Sequence, residues 1–318
     1  MKAFMGFDKD PEAALCRKGF RACENPLDTF RCYPPTGSRY CTVDIDDNGQ
    51  RNSDDLCAEK IKIGAEIGPD GVIKAGAQFI LELCKEPADD HAPGECGDAA
   101  ASGWRGNAAA SGTWSNAAAS GLSGNAAASG EWGNAAASGR KGNAATSGER
   151  GNAAAFGVCG NAAASGDGGI AAASGRKGNA AASGECGNAA ASDRKGNAAA
   201  SGECGNAAAS GAWGIAAASG ECGNAAVSGD GGNAAASGAW GTATVTGRYG
   251  GAKALGNDCL AAAWGPESKA MGKAGNWLVL SEHECGAIVD ARLVRVDGEI
   301  IKPDTWYTLR NGKIMEAE

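Results

Sequence analysis

Small and polar residues alternate through the middle of the chain on a period of nine. From Gly97 to Tyr249 the unit Gly-Asn-Ala-Ala-Ala-Ser-Gly-x-x recurs seventeen times. Departures are few: Asp98, Ile170, Ile215 and Thr242 take the asparagine slot, Phe156 a serine slot and Asp193 a glycine slot. Ala261-Ala262-Ala263-Trp264-Gly265 keeps the cadence, so the array extends to about Glu267. Ser-Gly-x-x-Gly-Asn concentrates residues that tolerate left-handed backbone and predicts a turn. Ala-Ala-Ala predicts a very short strand, about 10 Å at roughly 3.3 Å per residue. One unit then forms one side of a flattened coil and two units close it. Residues eighteen apart should stack at the strand spacing of about 4.8 Å.

The charges test that period independently. Counting units from Gly97, the even ones hold Glu131, Glu149, Asp167, Glu185, Glu203 and Glu221, with a single base, Arg150. The odd ones hold Arg105, Arg140, Lys141, Arg176, Lys177, Arg194, Lys195 and Arg248, with Asp98, Asp193 and Asp230. The array is therefore neutral, but its two edges should carry opposite signs. Nine residues make a side and eighteen make a coil. Recent duplication of an eighteen-residue segment also accounts for inherited charges, and it is compatible with this geometry. A bundle of polyproline-type helices needs a glycine at every third position, which the unit does not supply. The expected fold is mainly β: a parallel β-solenoid of nine-residue repeats, two per 18-residue coil, over residues 97–267. Only Ala, Gly and a few Asn or Ser side chains are small enough for its interior. Whether Asn or Ala faces inward stays open; Ile170 and Ile215 at the asparagine slot hint at an inward Asn column.

The flanks have ordinary composition, and a solenoid needs caps for its unpaired ends. Residues 1–96 predict a small α+β N-terminal cap domain. Cys41–Ile45 and Ile61–Ile63 alternate like strands, and Pro34-Pro35-Thr36-Gly37 marks a turn. Asp70 to Glu86 predicts a helix with Val72, Ile73, Ala77, Ile80, Leu81 and Cys84 on one face, ending before Pro87. Residues 268–318 predict a C-terminal β-hairpin cap: a strand at Trp277-Leu278-Val279-Leu280, a hairpin from Ile288–Val296 through a type I′ turn at Asp297-Gly298 to Glu299–Lys302, and a second hairpin turning at Asn311-Gly312.

The ends also carry a resemblance. Met1-Lys2-Ala3-Phe4, Gly19-Phe20-Arg21-Ala22-Cys23-Glu24-Asn25-Pro26-Leu27-Asp28, Tyr33-Pro34-Pro35, Ser38-Arg39-Tyr40-Cys41 and Lys60–Ile67 resemble a domain of unknown function found in tailed-phage and gut-bacterial proteins. In those relatives it precedes short tandem repeats of the type Asn-Thr-Gly-x-x-Ser-Ala-Ala. Their C-terminal end is similar to Val296-Asp297-Gly298 through Leu309. This chain is shorter between Asp8 and Gly19. The resemblance implies a phage or prophage setting and no particular catalysis.

Composition bounds the chemistry. The net charge of −8 gives no reason to expect nucleic-acid binding, and no apolar stretch is long enough for a membrane span or a signal peptide. Thirteen cysteines in no compact framework predict a reducing setting and free thiols. Nonapeptide calcium rolls need recurrent aspartates, whereas Asp167-Gly168-Gly169 and Asp230-Gly231-Gly232 stand alone. His283-Glu284-Cys285 and His91 lack zinc spacing, and Cys16, Cys23, Cys32 and Cys41 are too widely spaced for a zinc knuckle. Neither a phosphate loop nor a nucleophile with a base is evident, so no catalytic residue, metal or cofactor is assigned.

One column stands out. The last position of the even units reads Trp114, Trp132, Arg150, Gly168, Cys186, Cys204, Cys222, Trp240, rimmed by Glu131, Glu185, Glu203 and Glu221. It is either an apolar binding ridge or a set of side chains lying back over their own alanine strands. The edge pairs Arg140-Lys141, Arg176-Lys177 and Arg194-Lys195 mark the opposite side. The expectation is a non-enzymatic phage- or prophage-type repeat protein that presents a solenoid surface for protein binding or structural assembly. Its partner would be a host or phage protein, or a second copy, in the host cytoplasm or on the virion. The alternatives are a DNA mimic that inhibits a host nucleic-acid enzyme, an ice-binding protein, and a weak enzyme in the N-terminal domain.

Overall fold

The computed structural model describes residues 2–7, 20–33, 38–45, 50–51, 56–58, 60–83, 90–93 and 97–317. Its body is a parallel β-solenoid. From β8 (Asp98–Ser102) to β27 (Lys269–Gly272) twenty strands follow one another, two per coil, and sort alternately into two sheets. Each strand pairs with the strand eighteen residues on: Asn116 lies against Asn134, Ala117 against Ala135 and Ser120 against Ser138. Odd units build one sheet and even units the other. Strands beginning at Gly251, Leu260 and Lys269 hold the nine-residue spacing slightly past the end expected from the sequence.

The strands are longer than the alanine triplet. Most run five residues, from Asn to Ser, so asparagine belongs to the strand and not to the turn. Its reward is a second ladder beside the backbone one. Asn125, Asn143, Asn161, Asn179 and Asn197 each donate Nδ2–H to the Oδ1 of the asparagine one coil back, at 2.9–3.0 Å. An amide side chain has both donor and acceptor, so one residue type can repeat without limit in such a stack.

Strand alternation fixes which atoms face inward. The first and third alanines of each triplet, such as Ala117 and Ala119, are buried, while Asn116, Ala118 and Ser120 face out. The hint of an inward Asn column is therefore corrected: Ile170 sits on the outer face at 45% exposure. The reason is volume. Both sheets fill the interior with methyl groups, and even a Cβ added at Gly106 would meet Ala101 at 3.1–3.2 Å. A carboxamide fits only outside, where the ladder satisfies it. Thr146, one of the few larger inward residues, is buried with its hydroxyl unpartnered.

The turns stack as tightly as the strands. From Gly103 to Gly184 the glycine after the serine slot has positive φ, +144° at Gly121, and a Cβ there would sit 1.6 Å from the carbonyl oxygen of Gly103. Both the backbone angle and the close approach require glycine. Asp193 occupies one such slot with φ 89°.

The N-terminal residues form a small α+β unit. β1 (Lys2–Phe7), β3 (Arg39–Ile45) and β6 (Ile61–Ile67) make an antiparallel sheet, and β2 (Phe20–Ala22), β4 (Gln50–Arg51) and β5 (Leu56–Ala58) make a second. A single helical turn, α1 (Thr29–Cys32), precedes the expected helix, α2 (Pro69–Leu83). Residues 34–37, Cys84 and Pro87 lie outside the described residues. Among the described residues of this unit, β7 (Asp90–Pro93) adds to the first even strand at the end of the solenoid. Val72, Ile73, Ala77 and Ile80 of α2, with Leu27 and Phe30, pack on the outer face of the even sheet. They cover the middle alanines Ala127, Ala145, Ala163, Ala181 and Ala199. Three asparagines of the ladder fasten the contact: Asn161 Nδ2 donates to Asp28 Oδ1 at 3.3 Å, Asn179 to Leu27 O at 3.4 Å and Asn197 to Phe30 O at 3.1 Å. The corresponding face of the odd sheet has no such cover among the described residues.

At the other end large side chains replace alanine. Leu278, Leu280, Val296, Ile301, Tyr307 and Leu309 continue the interior and close it. The strand at Trp277 is β28 (Trp277–Glu284), and it pairs with β29 (Ala287–Arg295). The turn between them is Cys285-Gly286, both with positive φ (49° and 84°). This corrects the hairpin expected at Asp297-Gly298. There the Asp297 carboxylate accepts the N–H groups of Glu299, Ile300 and Ile301, each at 2.9 Å, and a backbone held in that knot has no donors left for a strand. The second hairpin, β30 (Tyr307–Arg310) and β31 (Lys313–Glu316), turns at Asn311-Gly312 as the sequence predicts.

The docking contact separates two chemically identical substitutions. Asn179→Ala removes a buried rung and its bond to Leu27 O and leaves the neighbouring ladder amides, Asn161 Oδ1 and Asn197 Nδ2, short of a partner, so it should cost about 1–3 kcal/mol. Asn206→Ala removes an exposed rung of the odd ladder and should stay within about 0.5 kcal/mol. Denaturant unfolding of both variants checks this; equal losses would mean that the N-terminal unit does not rest on the ladder.

Candidate functional site

The strands carry nearly invariant residues, so chemical variety lies in the two x positions of the turns. The eighteen-residue register brings each turn over its equivalent. On the even edge Glu131, Glu149, Asp167, Glu185, Glu203 and Glu221 form one exposed column over six consecutive coils. None of the six forms a salt bridge to a described residue. Like charges one strand spacing apart repel by about 1 kcal/mol per pair in water. On the odd edge Arg140-Lys141, Arg176-Lys177 and Arg194-Lys195 stack on the same register, and five of these six are exposed. Each basic pair shares its coil with an acid on the opposite edge: Glu149, Glu185 and Glu203 respectively.

The column beside the acids divides into segments. Trp114 and Trp132 stack face to face, with centroids 4.9 Å apart and planes 7° apart. The Arg150 guanidinium lies 4.6 Å over the Trp132 ring and extends the stack to a third coil. The rings therefore pack on one another along the solenoid, not back over their own alanines, because the coil spacing nearly equals an aromatic stacking distance. Gly168 interrupts the column. Cys186, Cys204 and Cys222 follow, exposed and with free thiols. Trp240 stands beyond them, 60% exposed.

The interruption coincides with a change in the turn backbone. Trp114, Trp132 and Arg150 have positive φ and donate N–H forward, to Glu131 O, Glu149 O and Asp167 O. Cys204 and Cys222 donate backward, to Glu185 O and Glu203 O, at 2.8 Å. The peptide has turned over between the two sets. At the changeover the Asp167 side chain accepts the Glu185 N–H at 3.1 Å.

The flanking coils strip water from the Cys186 and Cys204 thiols and hold them above the ordinary thiol range. The adjoining thiols and the acidic column push the same way. These residues are therefore poor thiolates in spite of their exposure.

α2 adds a wall to the same edge. Its Asp70 and Lys74 face the Ser-Gly-acid turns at Asp167, Glu185, Glu203 and Glu221 across an open groove of about 1080 Å³. Sequence reasoning did not find this groove, since nothing in the chain signals where α2 will dock. It also passed over Trp104, Trp213 and Tyr249, exposed among the basic turns. Counting the odd units by eighteen puts Trp213 and Tyr249 in one column and Trp104 in the column beside it. Among the described residues, no group of three or more His, Cys, Asp and Glu side chains is placed to hold a metal ion. No helix among them is long and apolar enough to cross a membrane.

A family model described as a domain of unknown function, DUF7666, matches residues 6–75, which run from β1 into α2. No curated protein and no solved structure matches the chain.

The raised thiols give a direct readout. At pH 8, Cys186 and Cys204 should react with iodoacetamide several-fold more slowly than an unstructured cysteinyl peptide, and mass spectrometry under non-reducing conditions should find no bridge between them. Alkylation as fast as the peptide, or a Cys186–Cys204 disulfide, would contradict this environment.

Proposed function

We propose that this chain is a non-enzymatic repeat protein whose solenoid presents its turn edges for protein binding or structural assembly. One observation carries the reading: the stacked Trp114–Trp132–Arg150 ladder runs beside a column of six exposed carboxylates on a rigid support. Stacked tryptophans at a surface expose large flat rings whose spacing the backbone fixes. An ordered aromatic strip with a charged rim resembles the centre and rim of protein interfaces. The resemblance of the flanks to tailed-phage and gut-bacterial proteins favours a phage or prophage setting and hence a host or phage protein as partner.

The other readings have less support. A DNA mimic needs continuous negative charge, and here a basic edge stands opposite the acidic one. Ice binding through a flat array of small residues draws on ordered outward hydroxyl and methyl groups, whereas threonine is rare in the units and Thr146 faces inward.

Changing Trp114, Trp132 and Trp240 together to Ser tests the proposal. The melting curve should remain that of the parent, because no ring lies in the alanine interior. Binding to the partner recovered from host lysate, or self-association, should fall at least about tenfold, in line with the loss of aromatic anchors. Unchanged binding with an intact fold would remove this edge as the docking surface.

A further inference from the structure

The two edges of the solenoid match each other better than either needs to for solubility. An edge that only kept the protein soluble would do best with mixed signs, since acid and base one coil apart would pair within the molecule. Here the signs are largely segregated: six carboxylates on consecutive coils of the even edge, with Arg150 the one base, and three basic pairs on the odd edge, where Val158-Cys159 stands between the first pair and the second and Asp193 beside the third. Arg150 lies in the even column and Lys74 faces it across the groove, but among the described residues none of the six carboxylates forms a salt bridge. Further positive charge from outside would relieve their mutual repulsion.

We infer that the positive charge comes from a second copy of this chain, docked side by side with its basic edge along the acidic edge of the first. The argument is register. Both columns belong to one solenoid, so both rise by the same step per coil, about 4.8 Å. Two copies placed side by side without axial shift then meet coil against coil. Glu149 faces Arg140-Lys141 of the second copy, Glu185 faces Arg176-Lys177, and Glu203 faces Arg194-Lys195. A partner with any other repeat would lose phase within a few coils. The groove beside Asp70 and Lys74 leaves room for the long basic side chains next to Asp167, Glu185, Glu203 and Glu221. The described residues of the N-terminal unit pack on the face of the even sheet, away from the odd turns.

The contact is heterologous, since an acidic edge meets a basic one. It leaves a free acidic edge and a free basic edge on every pair, and therefore grows into an open lateral array instead of stopping at a dimer. Its strength should depend on salt, because both columns are exposed to solvent. This inference rests on the reading of the acidic edge as a docking surface and adds the identity of what docks.

Sedimentation velocity on the full chain tests it. In about 20 mM NaCl the average mass should exceed the 31.4 kDa monomer and rise with protein concentration; in about 500 mM NaCl the apparent dissociation constant should be at least tenfold weaker. Two charge-reversed variants sharpen the test. Glu131→Lys/Glu149→Lys/Asp167→Lys/Glu185→Lys/Glu203→Lys/Glu221→Lys has two basic edges, and Arg140→Glu/Lys141→Glu/Arg176→Glu/Lys177→Glu/Arg194→Glu/Lys195→Glu has two acidic ones. Each alone should be monomeric, and an equimolar mixture should associate again in alternation. Melting curves establish that both fold; should one fail, Glu185→Lys and Arg176→Glu as single changes, with the salt series on the parent, keep the test. A parent protein that stays monomeric at low salt, or a mixture of folded variants that does not associate, would overturn the inference. Monomers that nevertheless bind polylysine through the acidic edge would also overturn it, while leaving that edge a docking surface for another partner.

Discussion

The whole molecule depends on an interior filled almost entirely by methyl groups, with only a few larger side chains such as Thr146, Val227 and Val245 among them. Two facing sheets fill it with the first and third alanines of each unit. A buried methyl contributes only about 0.8 kcal/mol, less than the roughly 1–2 kcal/mol needed to fix one residue's backbone. Burial alone cannot hold such a coil together. Parallel backbone ladders, asparagine ladders and glycine turns in direct contact must supply the rest, and each of these works only if every coil copies the one beneath it. That is why the sequence repeats so strictly, and why the glycine facing the Gly103 carbonyl, Gly121, has almost no freedom to vary.

A scaffold this constrained moves its variety to the turns. The x positions point away from the interior and tolerate Glu, Arg, Trp or Cys in the same place. Since the coils stack in register, any residue type repeated at eighteen becomes a column. The Trp114–Trp132–Arg150 stack, the thiol run and the two charged edges are all products of the same geometry. The N-terminal unit uses it as well, for it reads the even sheet as a flat row of alanines bordered by asparagine amides, and docks there through Val72, Ile73 and Ile80. One sheet is covered in this way, which makes the two faces of a nearly symmetric solenoid unequal.

Much of this was legible in the sequence. The period, the two-sided coil, the sign of each edge and the helix from about Asp70 follow from spacing alone, because stacking turns sequence period into geometry. The side that asparagine takes was not legible. Ile170 and Ile215 pointed inward by analogy with an ordinary core, and the error came from overlooking how little volume two alanine sheets leave. The Asp297-Gly298 hairpin failed for a different reason: the dipeptide fits a type I′ turn, but the carboxylate was free to capture three N–H groups instead. The lateral docking of α2 and the groove beside it are long-range events with no local signature. The change of turn conformation near Gly168 likewise depends on how neighbouring coils share N–H donors, a property of the stack and not of one repeat.

The central claim is the inward methyl ladder, and two adjacent alanines test it. Ala191 is 2% exposed between the sheets, while Ala190 lies on the open face of the odd sheet. Thermal and denaturant unfolding of Ala190→Asp and Ala191→Asp should differ sharply. The outer substitution should cost no more than about 1 kcal/mol, and the inner one several, with loss of a single cooperative transition, because it buries an unpaired carboxylate. Equal losses, or a larger loss at Ala190, would contradict the account.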